Sequence, residues 1–232
     1  VRLRENPLSF NNVIDDPAVR SLLPDVAGLR VLDLGCGTGN MCAYLCEQGA
    51  ASVVGIDLSE RMLAVAAARG LDGVTFRRQA VEELDEPDSA YDVIVSSLMF
   101  HYVEDLGAML ARVYRCLAPG GVLVFSTEHP VMTASLKPQG PGWFRDEKGT
   151  RLFWPLDHYH DEGRRESAWI VQGVVKYHRT MATWVNALAD RGFIIERLLE
   201  PYATPEAEAA QPELREERRR PVFLCIRARK QR

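Results

Sequence analysis

The chain has 232 residues, 47% of them hydrophobic, and a net charge of −4 from 28 basic and 32 acidic side chains. That suits one compact domain, or one domain with an insertion, and a sizeable core. The acidic balance offers no electrostatic footprint for nucleic acid, and no apolar run comes near the ~20 residues of a membrane span. The opening VRLRENPLSF has no apolar signal-peptide stretch and no initiator Met, so the chain reads as trimmed at its start. Five cysteines, an odd number without framework spacing, fit a reducing cytoplasm. Cys42 and Cys46 share a helix face by spacing, but too few further ligands lie nearby for a metal site.

Strand and helix signals alternate from Leu29 to Glu128. LRVLDLG is a short apolar run of the kind that forms a buried parallel strand. Helix signals follow from Gly39 to Gln48. ASVVGIDLS is a second strand, and Ser59 is placed to cap the Ala-rich helix SERMLAVAAAR, which Gly70 closes. GVTFRRQA and YDVIVSS read as strands three and four. DLGAMLARVYRCL carries apolar residues at helical spacing, APGG is expected to end it, and GVLVFSTE is strand five. This rhythm predicts an α/β domain with right-handed crossovers.

Residues 129–175 break the pattern. The stretch is rich in Pro, Gly and rings (Trp143, Phe144, Phe153, Trp154, Tyr159, Trp169) and reads as an insertion with short strands, TRLFWPL and SAWIVQGVVKY. The α/β rhythm resumes over residues 176–232. TMATWVNALADRG is a helix with Thr180 as its cap and Gly192 as its stop, and FIIERLLEP and PVFLCIRAR are two more strands. TPEAEAAQPELREERRR between them reads as a polar, partly helical surface excursion.

The strongest signal is VLDLGCGTGN. Gly35, Gly37 and Gly39 stand between a strand and a helix, where glycine permits a tight turn and close approach of a ligand to the backbone. A GxG after a strand is weak evidence alone, because dinucleotide enzymes use the same device. Asp57 ends the second strand, where a carboxylate can accept ribose hydroxyls. Asp33 precedes the glycines, where it can orient the loop or meet an ammonium group. The spacing is GxGxG, so the pyrophosphate-cradling pattern is incomplete.

Taken together, VLDLGCGTG, VVGIDLS, YDVIVSSLMFHYVED and LAPGGVLVFSTEHP resemble, in order and spacing, the class I S-adenosylmethionine-dependent methyltransferases over residues 29–128. The later KYHRT…LADRGFIIERLLEP is similar to a bacterial small-molecule, type 11-like branch. The resemblance implies a Rossmann-like, doubly wound seven-stranded sheet with an antiparallel C-terminal edge strand. It divides the chain into a cofactor-binding core with an N-terminal lid (1–128), a substrate lid (129–175) and the completion of the core (176–232). It implies S-adenosyl-L-methionine as cofactor and S-adenosyl-L-homocysteine as product. Asp33, Gly35, Cys36 and Gly37 should line the methionine half. Asp57 should take the ribose hydroxyls, with Leu58 and Met62 against the adenine and Ala80 and Val81 at its edge. Ser97 and Leu98 should meet the methionine moiety. Many relatives carry an acid where Ala80 stands, and Gln79 or Glu82 is positioned to replace it.

In an open α/β sheet ligands bind at the carboxyl ends of the strands, which puts LMFHYVED at the rim of the site. His101 and Tyr102 are candidates to take a proton from, or orient, a methyl acceptor. Packing under the following helix is the alternative for either. His178, beside Tyr177 and Arg179 at a helix start, is the third catalytic candidate, with a backbone-bonded histidine as its alternative. His129 can shape the turn into the insertion, and His158 and His160 are two potential ligands without a site. Phe10, Asn11, Asn12, Tyr159 and Tyr177 are candidate acceptor contacts. Three of the four tryptophans (Trp143, Trp154 and Trp169, but not Trp184) fall in the insertion and suggest a ring-lined pocket. The expectation is therefore methyl transfer to a small aromatic or heteroaromatic, indole-like acceptor on C, N or O, in bacterial secondary metabolism, with no nucleic acid, membrane or metal involved. The alternatives are a tRNA or protein methyltransferase of the same fold, a non-catalytic cofactor-binding partner protein and, more distantly, an NAD-dependent reductase.

Overall fold

The computed structural model describes residues 9–167 and 173–232. The apolar runs become parallel strands β1 (Arg30–Leu34), β2 (Ser52–Asp57), β3 (Val74–Arg78), β4 (Tyr91–Ser96) and β5 (Leu117–Glu128). Helices cover the sheet on both faces, so alternate residues of the same strand enter different cores. Leu32, Leu34, Ile94, Leu123 and Phe125 pack with the helices Leu106–Cys116 and Met181–Asp190. Val31, Val93, Val95, Val122 and Val124 pack against the helices Asp16–Leu22 and Asn40–Glu47. Side-chain caps start the helices as the sequence suggests. Ser59 Oγ accepts from Met62 N–H at 3.3 Å and Thr180 Oγ1 from Thr183 N–H at 3.2 Å. Asp105 caps Leu106–Cys116 in the same way at 2.8 Å. Each cap contributes about 1 kcal/mol.

Four short strands follow in two hairpins: β6 (Phe144–Arg145) with β7 (Arg151–Phe153), and β8 (Gly163–Ser167) with β9 (Val174–His178). The chain then returns to the main sheet through β10 (Phe193–Leu199) and β11 (Phe223–Lys230). The seven-stranded order is β10-β11-β5-β4-β1-β2-β3. β11, the C-terminal strand, runs antiparallel to both β5 and β10 and is slotted between them. β1 pairs in parallel with β2 on one side and β4 on the other. The strand order therefore switches at β1/β4, and a crevice opens beyond their carboxyl ends.

Three details differ from expectation. APGG does not stand outside the sheet. β5 already begins at Leu117, and the pairing jumps from Tyr91↔Leu117 to Val93↔Val122, a bulge around Gly120 at φ +76°. The strand foreseen as SAWIVQGVVKY is the meeting of β8 and β9, with Trp169 and its neighbours 168–172 outside the described residues. The charged GRRES was not foreseen as a strand because it lacks apolar alternation, yet it pairs along its whole length with β9.

Among the described residues, the insertion's Trp143 and Trp154 are taken up in packing contacts. Trp143 and Trp154 meet edge to face at 5.5 Å, with the Arg220 guanidinium 4.1 Å from the Trp154 ring and Arg219 4.8 Å from Trp143. These arginines belong to the polar excursion, which folds as a helix (Pro205–Ala210) and 3-10 turns (Pro212–Arg219). Its Arg220–Glu217 ion pair is buried. Arginine stacking on indole thus docks the insertion onto the chain before β11. Among the described residues no helix is long and apolar enough to cross a membrane.

Candidate active site

The turn after β1 is held by backbone bonds. Gly35 and Cys36 N–H both donate to the Ile56 carbonyl at 2.9 Å. Gly35, Gly37 and Gly39 all take the left-handed conformation, with φ of +74°, +54° and +77°. A Cβ on Gly35 would stand 2.7 Å from Met99 Cγ, so both conformation and space require glycine there. The Asp57 carboxylate is fixed at its end of the crevice: Oδ2 accepts from Gly37 N–H at 2.9 Å and Oδ1 from Ser59 N–H at 2.8 Å. Each oxygen keeps a lone pair for a ligand hydroxyl.

Beyond β4 the rim is strained. Leu98 is a non-glycine residue at φ +55°, and its N–H is held by Ser126 Oγ at 3.1 Å. Ser97 Oγ donates to the buried Asp15 carboxylate at 2.6 Å, which ties the rim to the N-terminal turn Asn11–Asp15. The 3-10 turn Phe100–Tyr102 follows, anchored by Phe100 stacked on Phe125 at 4.6 Å. Arg179 donates to the Val103 and Glu104 carbonyls at 2.6 and 2.7 Å and closes the turn from behind.

His101, on this turn, is 2% exposed. Burial pushes its pKa down to about 4, helped by the nearby Lys176 and Arg179 cations and opposed by Glu128. Its Nδ1 accepts the Glu128 N–H at 3.3 Å, so the neutral ring carries its proton on Nε2. Tyr102, 40% exposed, lies against this ring with centroids 4.2 Å apart.

Two chambers meet here. The first, about 470 Å³, is walled by Gly35, Gly37, Asp57, Leu58, Met62, Val81, Ser97, Leu98, His101 and Tyr102. Gln79 and Glu82 line it too, whereas Ala80 caps the turn Val81–Glu83 and is not part of the lining. Asp33 and Cys36 lie in a small adjoining cleft with Asn12 and Asn40. Asn11 borders both spaces. The second chamber, about 350 Å³, lies under the insertion and is lined by Phe10, Thr133, Lys137, Arg165 and Lys176 among others. Asn11, Glu128 and Phe223 are common walls of the two chambers. Glu128 forms an ion pair with the buried Lys176.

His178, Tyr177 and Tyr159 line neither chamber. His178 is fully buried, with Nδ1 bonded to Thr133 Oγ1 at 2.7 Å and Nε2 to the Tyr159 carbonyl at 2.9 Å. Tyr159 Oη accepts from Met181 N–H at 3.1 Å. KYHRT reads as a polar cluster at a helix start, but its first three residues end β9, where successive side chains point to opposite faces. His129 caps the helix Pro130–Thr133 and bonds Glu200 at 2.8 Å. Among the described residues no group of His, Cys, Asp or Glu could hold a metal. Glu128, Lys176 and Arg165 carry the polar chemistry of the second chamber without having been singled out as site residues. The alternation of Val174, Lys176 and His178 on one strand face was the available signal.

The first chamber fits a nucleoside joined to an amino acid. It offers a fixed carboxylate for hydroxyls, an apolar slot of Leu58, Met62 and Val81 for a base, and a polar cleft around Asp33 for a charged end. Comparisons agree. A family model described as a methyltransferase domain matches residues 31–121. An S-adenosylmethionine-dependent methyltransferase structure from Mesorhizobium loti is 47% identical, covering 92% of this chain and 96% of that one, with a TM-score of 0.86. A putative one from Listeria monocytogenes is 40% identical, covering 93% and 96%, with the same TM-score. An uncharacterised protein of Haemophilus influenzae is 38% identical over 99% of this chain and 92% of its own length. Relatives with named activities match over less: a ubiquinone biosynthesis O-methyltransferase of Bradyrhizobium is 38% identical over 131 residues, and the chain spans 51% of its length. The chain belongs to the S-adenosylmethionine-dependent methyltransferase family.

Proposed function

We propose that this protein transfers a methyl group from S-adenosylmethionine to a small molecule seated in the second chamber. The observation that carries this is the junction itself: a nucleoside-sized chamber and a smaller one share Asn11, Glu128 and Phe223 as walls. Bound in the first chamber, the cofactor supplies an electrophilic methyl group. Asp57 holds its ribose, Leu58, Met62 and Val81 flank its base, and the glycine turn with Asp33, Cys36, Ser97 and Leu98 receives its amino-acid end. Residues 129–175 act as the lid that shields the junction from water. Glu128, a carboxylate common to both chambers, removes the proton from an oxygen or nitrogen acceptor. His101 serves as a hydrogen-bond donor through Nε2–H, because the nitrogen that could take a proton already receives the Glu128 amide. Tyr102 orients the acceptor. His178, with both nitrogens bonded, holds the insertion together.

For the acceptor, support for a flat ring comes from Phe10 and Phe223, which line the second chamber, rather than from the insertion's tryptophans. The placement in cytoplasmic secondary metabolism rests on cysteine usage and sequence resemblance. The test uses S-adenosylmethionine labelled on its methyl group, offered with pooled phenols, amines and carboxylic acids, with tRNA, and with unfolded protein. Label in the small-molecule fraction, lost in Glu128→Gln, is the expected result. Label in tRNA or protein overturns the small-acceptor reading.

A further inference from the structure

Arg165 and Lys176 are direct cross-strand partners in the β8–β9 hairpin, and both side chains are buried on the same face. Like charges in that relation repel, and burial deepens the cost. Glu128 forms an ion pair with Lys176. Arg165 bonds instead to backbone carbonyls: Nε and Nη2 to Ala134 at 3.3 and 3.2 Å, Nη1 to Arg164 at 3.2 Å, and Nη2 to Asp161. Among the described residues no carboxylate bonds to it. Carbonyl dipoles satisfy four of its five N–H groups but do not cancel its charge.

The remaining charges of the second chamber do not supply the missing anion. Glu166 is paired with Arg164 at 3.0 Å, both more than half exposed. The Asp161 carboxylate, 67% exposed, is bonded to His158 at 2.7 Å, where solvent screens it. Lys137, an exposed residue of the same lining, adds a further cation. Burial pulls the Arg165 pKa below its ordinary value, with Asp161 as the opposing influence.

Building on the two-chamber reading above, we infer that the acceptor molecule carries a carboxylate, received in the second chamber by Arg165 with Lys137 beside it. A planar guanidinium suits a carboxylate, and one Arg165 Nη1 hydrogen remains to be used. The bound anion completes the charge balance of the buried hairpin face. It also orients the acceptor, so that its nucleophilic atom is presented at the junction beside Glu128.

The test is a calorimetric titration of protein saturated with S-adenosylhomocysteine, using matched probes: phenylacetate against phenylacetamide and succinate against succinamide. Each acid is expected to bind about tenfold or more tightly than its amide. Arg165→Gln removes that preference. Lys137→Gln, a surface change, reduces it to about threefold, and Lys137→Glu weakens acid binding further. Should Arg165→Gln fail to fold, the two Lys137 variants carry the test. Equal affinity for acid and amide, no acid binding at about 1 mM, or a preference unchanged by these substitutions overturns the inference. Binding of S-adenosylhomocysteine in the same samples separates the two levels. If it fails in the wild type, the methyl-transfer reading falls. If it holds and the acid preference is absent, only the carboxylate falls.

Discussion

The two chambers are built by different means. The walls of the first come mostly from turns at the ends of β1, β2 and β4, and its decisive contacts are made by backbone N–H groups: Gly35 and Cys36 to the Ile56 carbonyl, and Gly37 and Ser59 to the Asp57 carboxylate. The second gathers side chains from Phe10, Glu128, Lys137, Arg165, Lys176 and Phe223, six positions spread over most of the chain. A site shaped by backbone turns has a short sequence signature. A site shaped by long side chains from separate segments has none.

Substitutions can break that contrast. Asp57→Ala is expected to raise the Kd for S-adenosylhomocysteine about thousandfold, roughly 4 kcal/mol for two charge-assisted hydrogen bonds. A calorimetric shift under about tenfold would mean that backbone alone holds the nucleoside.

His101, in the wall of the first chamber, offers a pH test. Its folded pKa of about 4 lies below its ordinary 6.5, so the unfolded chain takes up its proton first as pH falls. The stability from burying it neutral is complete above 6.5 and is lost as pH drops from there to about 4, some 3 kcal/mol in all. Urea melts at about pH 7 and about pH 4.5 should therefore show a smaller loss in His101→Gln than in the wild type. Equal losses would place the ring in contact with solvent.

At the junction, Glu128→Gln should lower kcat about hundredfold while S-adenosylhomocysteine affinity stays within about threefold. A change in affinity without one in kcat would move Glu128 to the cofactor side. His178→Ala should have the smallest effect, about 2 kcal/mol of stability from two lost hydrogen bonds and a small cavity. It should leave cofactor affinity unaltered, because His178 braces the insertion alone. Loss of turnover at full stability would return it to the site.

Much of the first chamber is legible in the amino-acid sequence. Apolar runs of strand length, the three glycines and the acid at the end of β2 are local patterns with local causes. The second chamber misleads at two points. Tyr177 and His178 look like neighbours at one site, but on a strand they face opposite ways, and His178 turns in toward Thr133. The insertion's tryptophans suggest a ring-lined pocket, but the nearest arginines over Trp143 and Trp154 come from some 60 to 80 residues later in the chain. Lys176 stands out as a charge on the buried face of an apolar strand, yet nothing adjacent to it in the sequence points to Glu128.

The sequence by itself determined the parallel sheet, the glycine turn and Asp57, because backbone conformation and apolar periodicity act over a few residues. Only the tertiary structure decided that β11 slots between β5 and β10, that Arg165 and Lys176 share one buried face, and that Glu128 stands between two chambers. Those outcomes depend on how distant segments compete to cover the same apolar surface and neutralise the same charges, and a short stretch of sequence carries no record of its competitors.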